Sequence, residues 1–194
     1  MSLTAKDTPS TFELPPEGTH IAVCYLVVDL GLQPNTFNPD KPKHKVLIGW
    51  ELPEEKMTDG RPFAISSIYT ISLNEKAVLR QHLEAWRGRK FTEQELAGFN
   101  LRNVLGAPCQ LSIVHNTVPS GKTYANVAAV MALPKGMQKP SPVNKPLAYD
   151  TEEPNQEVLE ALPEWIQNKI NASTAPVEQA ATKSTAELDD DIPF

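Results

Sequence analysis

The spacing of apolar residues changes period twice along the chain. Residues 19–32, THIAVCYLVVDLGL, are apolar at both parities. That pattern predicts a strand buried on both faces, or one bent between two sheets. In HKVLIGWEL (44–52), Val46, Ile48, Trp50 and Leu52 share one parity, while Lys45, Gly49 and Glu51 share the other with Leu47. This predicts a half-buried strand with a basic start. Asp59-Gly60 marks a hairpin turn into a third strand, FAISSIYTISL (63–73). The period then lengthens. In NEKAVLRQHLEAWRGR, Leu79, Leu83 and Trp86 fall at i, i+4 and i+7, predicting a helix with Asn74 as N-cap and Gly88 as its stop. Thr92 and Glu95 make a capping box for a second short helix, with Phe91 placed to staple Leu96. LRNVLG (101–106) adds a turn, and PCQLSIVHNT and KTYANVAAVMAL, joined by PSG at 119–121, read as two final strands.

Three strands, helices and two strands make an all-β chain with inserted helices, in the order of a five-stranded OB-fold barrel. A ferredoxin-like layout needs a helix after the first strand, and residues 31–43 are too rich in proline for one. Past Leu133 the chain is punctuated by proline. The expected organisation is an extension (1–17), the barrel (18–134), a flexible linker (135–188) and a tip (189–194). Within the linker, EVLEALPEWIQNKI (157–170) is an amphipathic island, with Pro163 suited to open a short helix. Its stripe of Leu162, Trp165, Ile166 and Ile170 is expected to dock rather than stay in water. From 171 to 187 small and polar residues predict disorder, leading into an acidic tail.

Charge is distributed unevenly. Residues 1–149 carry 16 Lys/Arg against 13 Asp/Glu, and residues 150–194 carry 2 against 11. A mildly basic body suits an anionic partner, and a strongly acidic tail a basic one. The N-terminus lacks an apolar signal region, and the longest apolar run, IAVCYLVV (21–28), is too short to span a bilayer, so a cytoplasmic location is expected. Cys24 and Cys109 read as buried, reduced thiols. Gly121-Lys122-Thr123 lacks the upstream glycine of a phosphate loop, where Asn116 stands. The four histidines show no metal-ligand spacing, and no nucleophile elbow occurs. The expectation is a non-enzyme without metal or cofactor.

A single nucleic-acid strand is held by a basic groove along its phosphates and by aromatic faces that stack its bases. The residues that fit are Lys41, Lys43 and Lys45 entering strand 2; Arg61 and Phe63 opening strand 3; and Lys122 and Tyr124 opening strand 5. Trp50 and Tyr69 are further stacking candidates, each sharing parity with core residues. Arg87 and Arg89, beside Lys90, form a second basic cluster.

The chain closes on LDDDIPF. Asp189, Asp190, Asp191, Ile192, Pro193 and Phe194 resemble the C-terminal tip of bacterial single-stranded DNA-binding proteins and their phage counterparts. The resemblance implies an OB-fold body that coats single-stranded DNA, and a tip that recruits replication, recombination and repair enzymes. It is confined to the tip and the element order, and a phage-encoded member is expected. A homo-oligomer is compatible with it. Two rivals stay open: a tip mimic that binds host enzymes without DNA, and an RNA-binding OB protein.

Overall fold

A computed structural model describes residues 13–35, 38 and 40–173. Strands β1 (Gly18–Gln33), β2 (Lys43–Lys56), β3 (Pro62–Thr70), β4 (Pro108–Thr117) and β5 (Thr123–Met131) form an antiparallel sheet ordered β3-β2-β1-β4-β5. The outer strands β3 and β5 approach each other without hydrogen-bonded pairing, so the sheet is strongly curved but not closed. A short sixth strand, β6 (Leu147–Tyr149), runs parallel to β1 on the edge that β4 leaves free.

β1 is the strand on which both halves of the sheet depend. Gly18–Val23 pair with β4, and from Val23 onward the strand pairs with β2. A register shift between Cys24 and Leu26 inserts a bulge. Side chains alternate along a strand, so a one-residue slip exchanges its faces. Ala22, Cys24 and Val27 therefore enter the main core, whereas Leu26, Val28 and Leu30 enter a second core on the opposite side. The mixed parity of residues 19–32 records this exchange. A second shift, between Asp29 and Leu32, contains Gly31 at φ 66°, a left-handed position that suits glycine.

The main core is floored by Val46, Ile48, Trp50 and Leu52 of β2 and roofed by α1 (Val78–Arg87), which buries Leu79, Leu83 and Trp86. Trp50 and Trp86 meet at 5.9 Å, and Trp86 Nε1 donates to the Pro108 carbonyl at 2.9 Å. α1 stops at Gly88, whose φ of 67° lets its N–H return to the Ala85 and Glu84 carbonyls. Its start differs from the expectation. Asn74 accepts from its own downstream Lys76 N–H at 3.0 Å, and the helix begins four residues later without a side-chain cap. The Thr92–Glu95 capping box opens α2 (Glu93–Ala97) as expected, and Leu101–Val104 form a 3-10 turn.

Beyond β5 the folded body does not end. Helices α3 (Gln156–Ala161) and α4 (Glu164–Asn171) lay Leu162, Ile166 and Ile170 on Leu26, Val28, Leu30 and Leu47. Helices this short are marginal alone, so the apolar contact holds them. Residues 147–171 are therefore packed elements within the stretch expected as a flexible linker, and the 157–170 stripe, expected to dock, meets the sheet through Leu162, Ile166 and Ile170. The outer face of β2 is not solvated either, because this cover lies over it. Two carboxylates fasten the cover. Glu51, wholly buried, accepts from the Val143 N–H at 2.6 Å, the Asn144 N–H at 2.9 Å and the Asn144 side-chain amide. Asp29 accepts from the Thr151 hydroxyl and N–H, and from His44 Nε2 at 2.6 Å. Gln33 Nε2 adds a bond to the Lys169 carbonyl at 2.9 Å. Trp165, by contrast, is 47% exposed and lies off the docked stripe.

Removing a buried branched side chain from this second core costs about 2–5 kcal/mol, whereas a half-exposed helix position costs about 1 kcal/mol or less. Urea denaturation is thus expected to show Ile166→Ala far more damaging than Trp165→Ala. Equal midpoints for the two variants contradict the docking of α4.

Candidate nucleic-acid interface

The residues proposed from sequence to hold a strand do not converge. Lys41, Lys43 and Lys45 sit where β2 begins, with Lys43 opposite Gln33 and Lys45 opposite Thr70. Lys41 is exposed, and the other two are partly exposed. Arg61 lies past the far end of β2, on the turn closed by the Met57 N–H to the Arg61 carbonyl at 2.8 Å. From Lys45 to Lys56, eleven residues at ~3.3 Å each put these basic ends on the order of 35 Å apart.

At the far end two hairpins stand side by side. The β4–β5 hairpin turns at Val118–Lys122 and exposes Lys122, Val118 and Tyr124, the last at 48%. Residues 13–17 tie it to the β2–β3 turn. Glu13 accepts from the Thr58 N–H at 3.0 Å, Glu17 accepts from the His115 N–H at 2.6 Å, and His115 Nε2 donates to the Pro15 carbonyl at 2.8 Å. Arg61, Lys122 and Tyr124 therefore share one end of the sheet. Arg61 is paired with Asp59 at 2.6 Å in full solvent, where such a pair is weak and exchangeable. Between the two ends, the outward row of β3 is Ala64, Ser66, Ile68 and Thr70, all exposed. This strip is smooth and carries no charge.

Three expected stacking residues belong to the core instead. Trp50 is 1% exposed, Phe63 and Tyr69 are also buried, and all three pack in the main cluster. Their parity with Val46, Ile48 and Ile65 puts them on the inward face, and a buried ring has no face to offer a base. Tyr69 shows the depth of this environment. Its hydroxyl bonds His82 Nδ1 at 3.0 Å, and desolvation raises its pKa while lowering that of His82. Cys24 lies in the same core, with its thiol pushed up to about 12 by burial, and both cysteines are free and buried.

The second basic cluster is also structural. The Arg87 guanidinium lies 4.5 Å over the Phe91 ring and 5.1 Å over that of Phe99, and it pairs with Glu95. Arg89 pairs with the same carboxylate at 2.7 Å. One acid thus bridges two arginines, a trio of net charge +1, and caps α2. Hydrogen bonds from Arg89, the Thr92 N–H and Arg87 hold the Glu95 carboxyl down at about 2. One cluster escaped the sequence reading: Arg102 meets Asp150 at 3.1 Å and Glu153 at 3.8 Å. The partners are some fifty positions apart in sequence, and only the return of β6 to β1 joins them. Residues 189–194 lie outside the described residues. Among the described residues no group of acids, histidines and cysteines could hold a metal, and no helix is long and apolar enough to cross a membrane.

Since the folded pKa of Glu95 lies below its ordinary value near 4.5, its bonds stabilise the fold above that pH. They are lost as pH falls towards about 2. Urea midpoints measured from pH 6 to pH 2 are expected to drop over this window, and less steeply in Glu95→Gln. Parallel pH profiles for the two proteins show that the Arg87–Glu95–Arg89 bridge is not holding the loop. No protein-family model matches this chain, and no curated protein matches it significantly.

Proposed function

We propose that the curved sheet is an OB-type barrel and that the protein binds single-stranded DNA without catalysis, recruiting partner enzymes through residues 189–194. The order β3-β2-β1-β4-β5, with helices inserted between β3 and β4, is the order such a barrel requires. The observation that carries the reading is the hairpin end, where exposed Lys122 and Tyr124 share one end of the sheet with Arg61, and the uncharged outer row of β3 runs from that end to Lys41, Lys43 and Lys45. A strand following β3 would meet cations at both ends and one stacking platform. The cover over β2 and the acidic surface of α3 and α4 repel phosphate, which leaves the β3 side as the path. The Asp-Asp-Asp-Ile-Pro-Phe tip supplies the second half of the proposal. Its acids are attracted to basic surfaces, and its apolar residues fill a pocket on the recruited enzyme.

Affinity for poly-dT is expected to fall with log salt at about −0.7 per phosphate neutralised. Neutralising Lys43 and Lys45 together should make that slope shallower by about one unit or slightly more. Tyr124→Ala should cost about 1–3 kcal/mol of binding with the slope unchanged, because a stacked base carries no counterion. Fluorescence titration at several salt concentrations reads both. Poly-dT binding that none of these changes alters places the strand elsewhere, and poly-rU bound more tightly than poly-dT makes RNA the ligand. Deleting residues 189–194 should abolish capture of replication and recombination enzymes without loss of DNA affinity at about 0.15 M salt, where exposed charges are screened beyond about 8 Å. Equal capture by the deleted and full-length proteins contradicts the recruiting role.

A further inference from the structure

At the β3 end of the β1–β2 pair lies an open-sided cleft of about 270 Å³. Its floor is apolar: Val46 from β2, Ile71 after β3, and Phe99 and Leu101 from the segment after α2. Phe99 is half-buried and braced, with Phe91 edge-on at 5.1 Å and the Arg87 guanidinium over its ring. Its aromatic surface is therefore held in place before anything binds. The rim is polar. Asp29 and Asn100 stand on it, together with the Arg102–Asp150 pair that separates this cleft from a neighbouring one bordered by Glu153.

Shape and charge limit the occupant. The volume holds one planar ring system and part of a sugar, not a peptide segment. Carboxylates at Asp29 and Asp150 outnumber the single Arg102, so a phosphate is repelled from the cleft. An uncharged ring with polar edges is not, because apolar faces suit the floor while carboxylate, amide and guanidinium groups can pair with its edge. Cations stand at the same end of the sheet: Lys43 and Lys45 open β2, partly exposed, on the strand face opposite Val46.

We propose that this cleft receives one unstacked nucleobase of a bound single strand, base first, while Lys43 and Lys45 keep the adjoining phosphates outside. The proposal rests on the nucleic-acid reading above and adds a pocket to it. It also accounts for lysines placed far from the hairpin end, since the strand would be anchored by stacking at Tyr124 and by insertion at the opposite end of β3.

The test separates the pocket from the wider reading. Full-length protein is titrated with the four nucleosides, which lack phosphate, and followed by NMR. Shifts are expected at Phe99, Leu101, Arg102 and Ala148, and arginine amide is expected to produce none. Ala148→Leu, which fills the cleft, should abolish those shifts and weaken poly-dT binding about tenfold with an unchanged salt slope. Phe99→Leu keeps the apolar volume but removes the ring, so it should weaken poly-dT binding severalfold even if Ala148→Leu fails to fold. Native poly-dT affinity in folded Phe99→Leu, silence of the cleft to nucleosides, or shifts caused by arginine amide alone overturns the pocket and leaves DNA binding standing. Failure of the native protein to bind poly-dT at all overturns both.

Discussion

The bulge between Cys24 and Leu26 is the constraint on which the rest of the structure depends. Without it, Cys24, Leu26 and Leu30 would share a face, and β1 would serve one core. With it, the same strand closes the main core against β2 and α1 and also offers Leu26, Val28 and Leu30 to α4. The chain thereby builds two cores on the two sides of one sheet. The second core is small, and its helices are too short to persist unaided. They survive because β1 presents a ready apolar surface.

Fastening that cover consumes polar groups that would ordinarily face water. Glu51 is buried on the outer side of β2, and a buried carboxylate without donors is severely destabilising. Three donors from residues 143 and 144 surround it, so the connection out of β5 is drawn across the sheet at a defined place. Asp29 does the same for Thr151, one residue beyond the cleft-lining Asp150. Of the two carboxylates that secure the cover, Asp29 thus also shapes the rim of the cleft. The cover has a second effect, because it removes the outer face of β2 between Leu47 and Glu51 from any ligand and leaves β3, the start of β2 and the hairpins as the accessible side.

Charge follows the same division. The described C-terminal segment from Asp150 onward carries six acids and only Lys169 as a base, and this acidic surface lies over β1 and β2. Exposed Lys41, Lys56, Arg61 and Lys122 lie at or beside the ends of β2, β3 and β5, while Lys76, Arg89, Lys90, Arg102, Lys135, Lys139 and Lys145 are exposed elsewhere on the body. Arg87 and Arg89, in α1 and its following loop, share the single carboxylate of Glu95, which holds them in place.

Local signals in the sequence determined much of this. Alternation in β2, the i, i+4, i+7 spacing of Leu79, Leu83 and Trp86, the Thr92–Glu95 box and the glycine turns each act over a few residues, and each element formed where its signal lay. The burial of Trp50 and Tyr69 was legible too, from their parity with Val46 and Ile65, although their chemistry also invited a stacking role. Other features were decided only by the tertiary structure. A bulge is a property of strand pairing, so the mixed parity of β1 could not reveal which residues would part company. Glu51 read as a solvated position because nothing local foretold that residues 143–144 would return to it. The Arg102–Asp150 pair and the cleft beside it join segments that have no sequence relationship. Periodicity reports which side of an element is apolar, but what comes to lie against that side depends on the path of the whole chain.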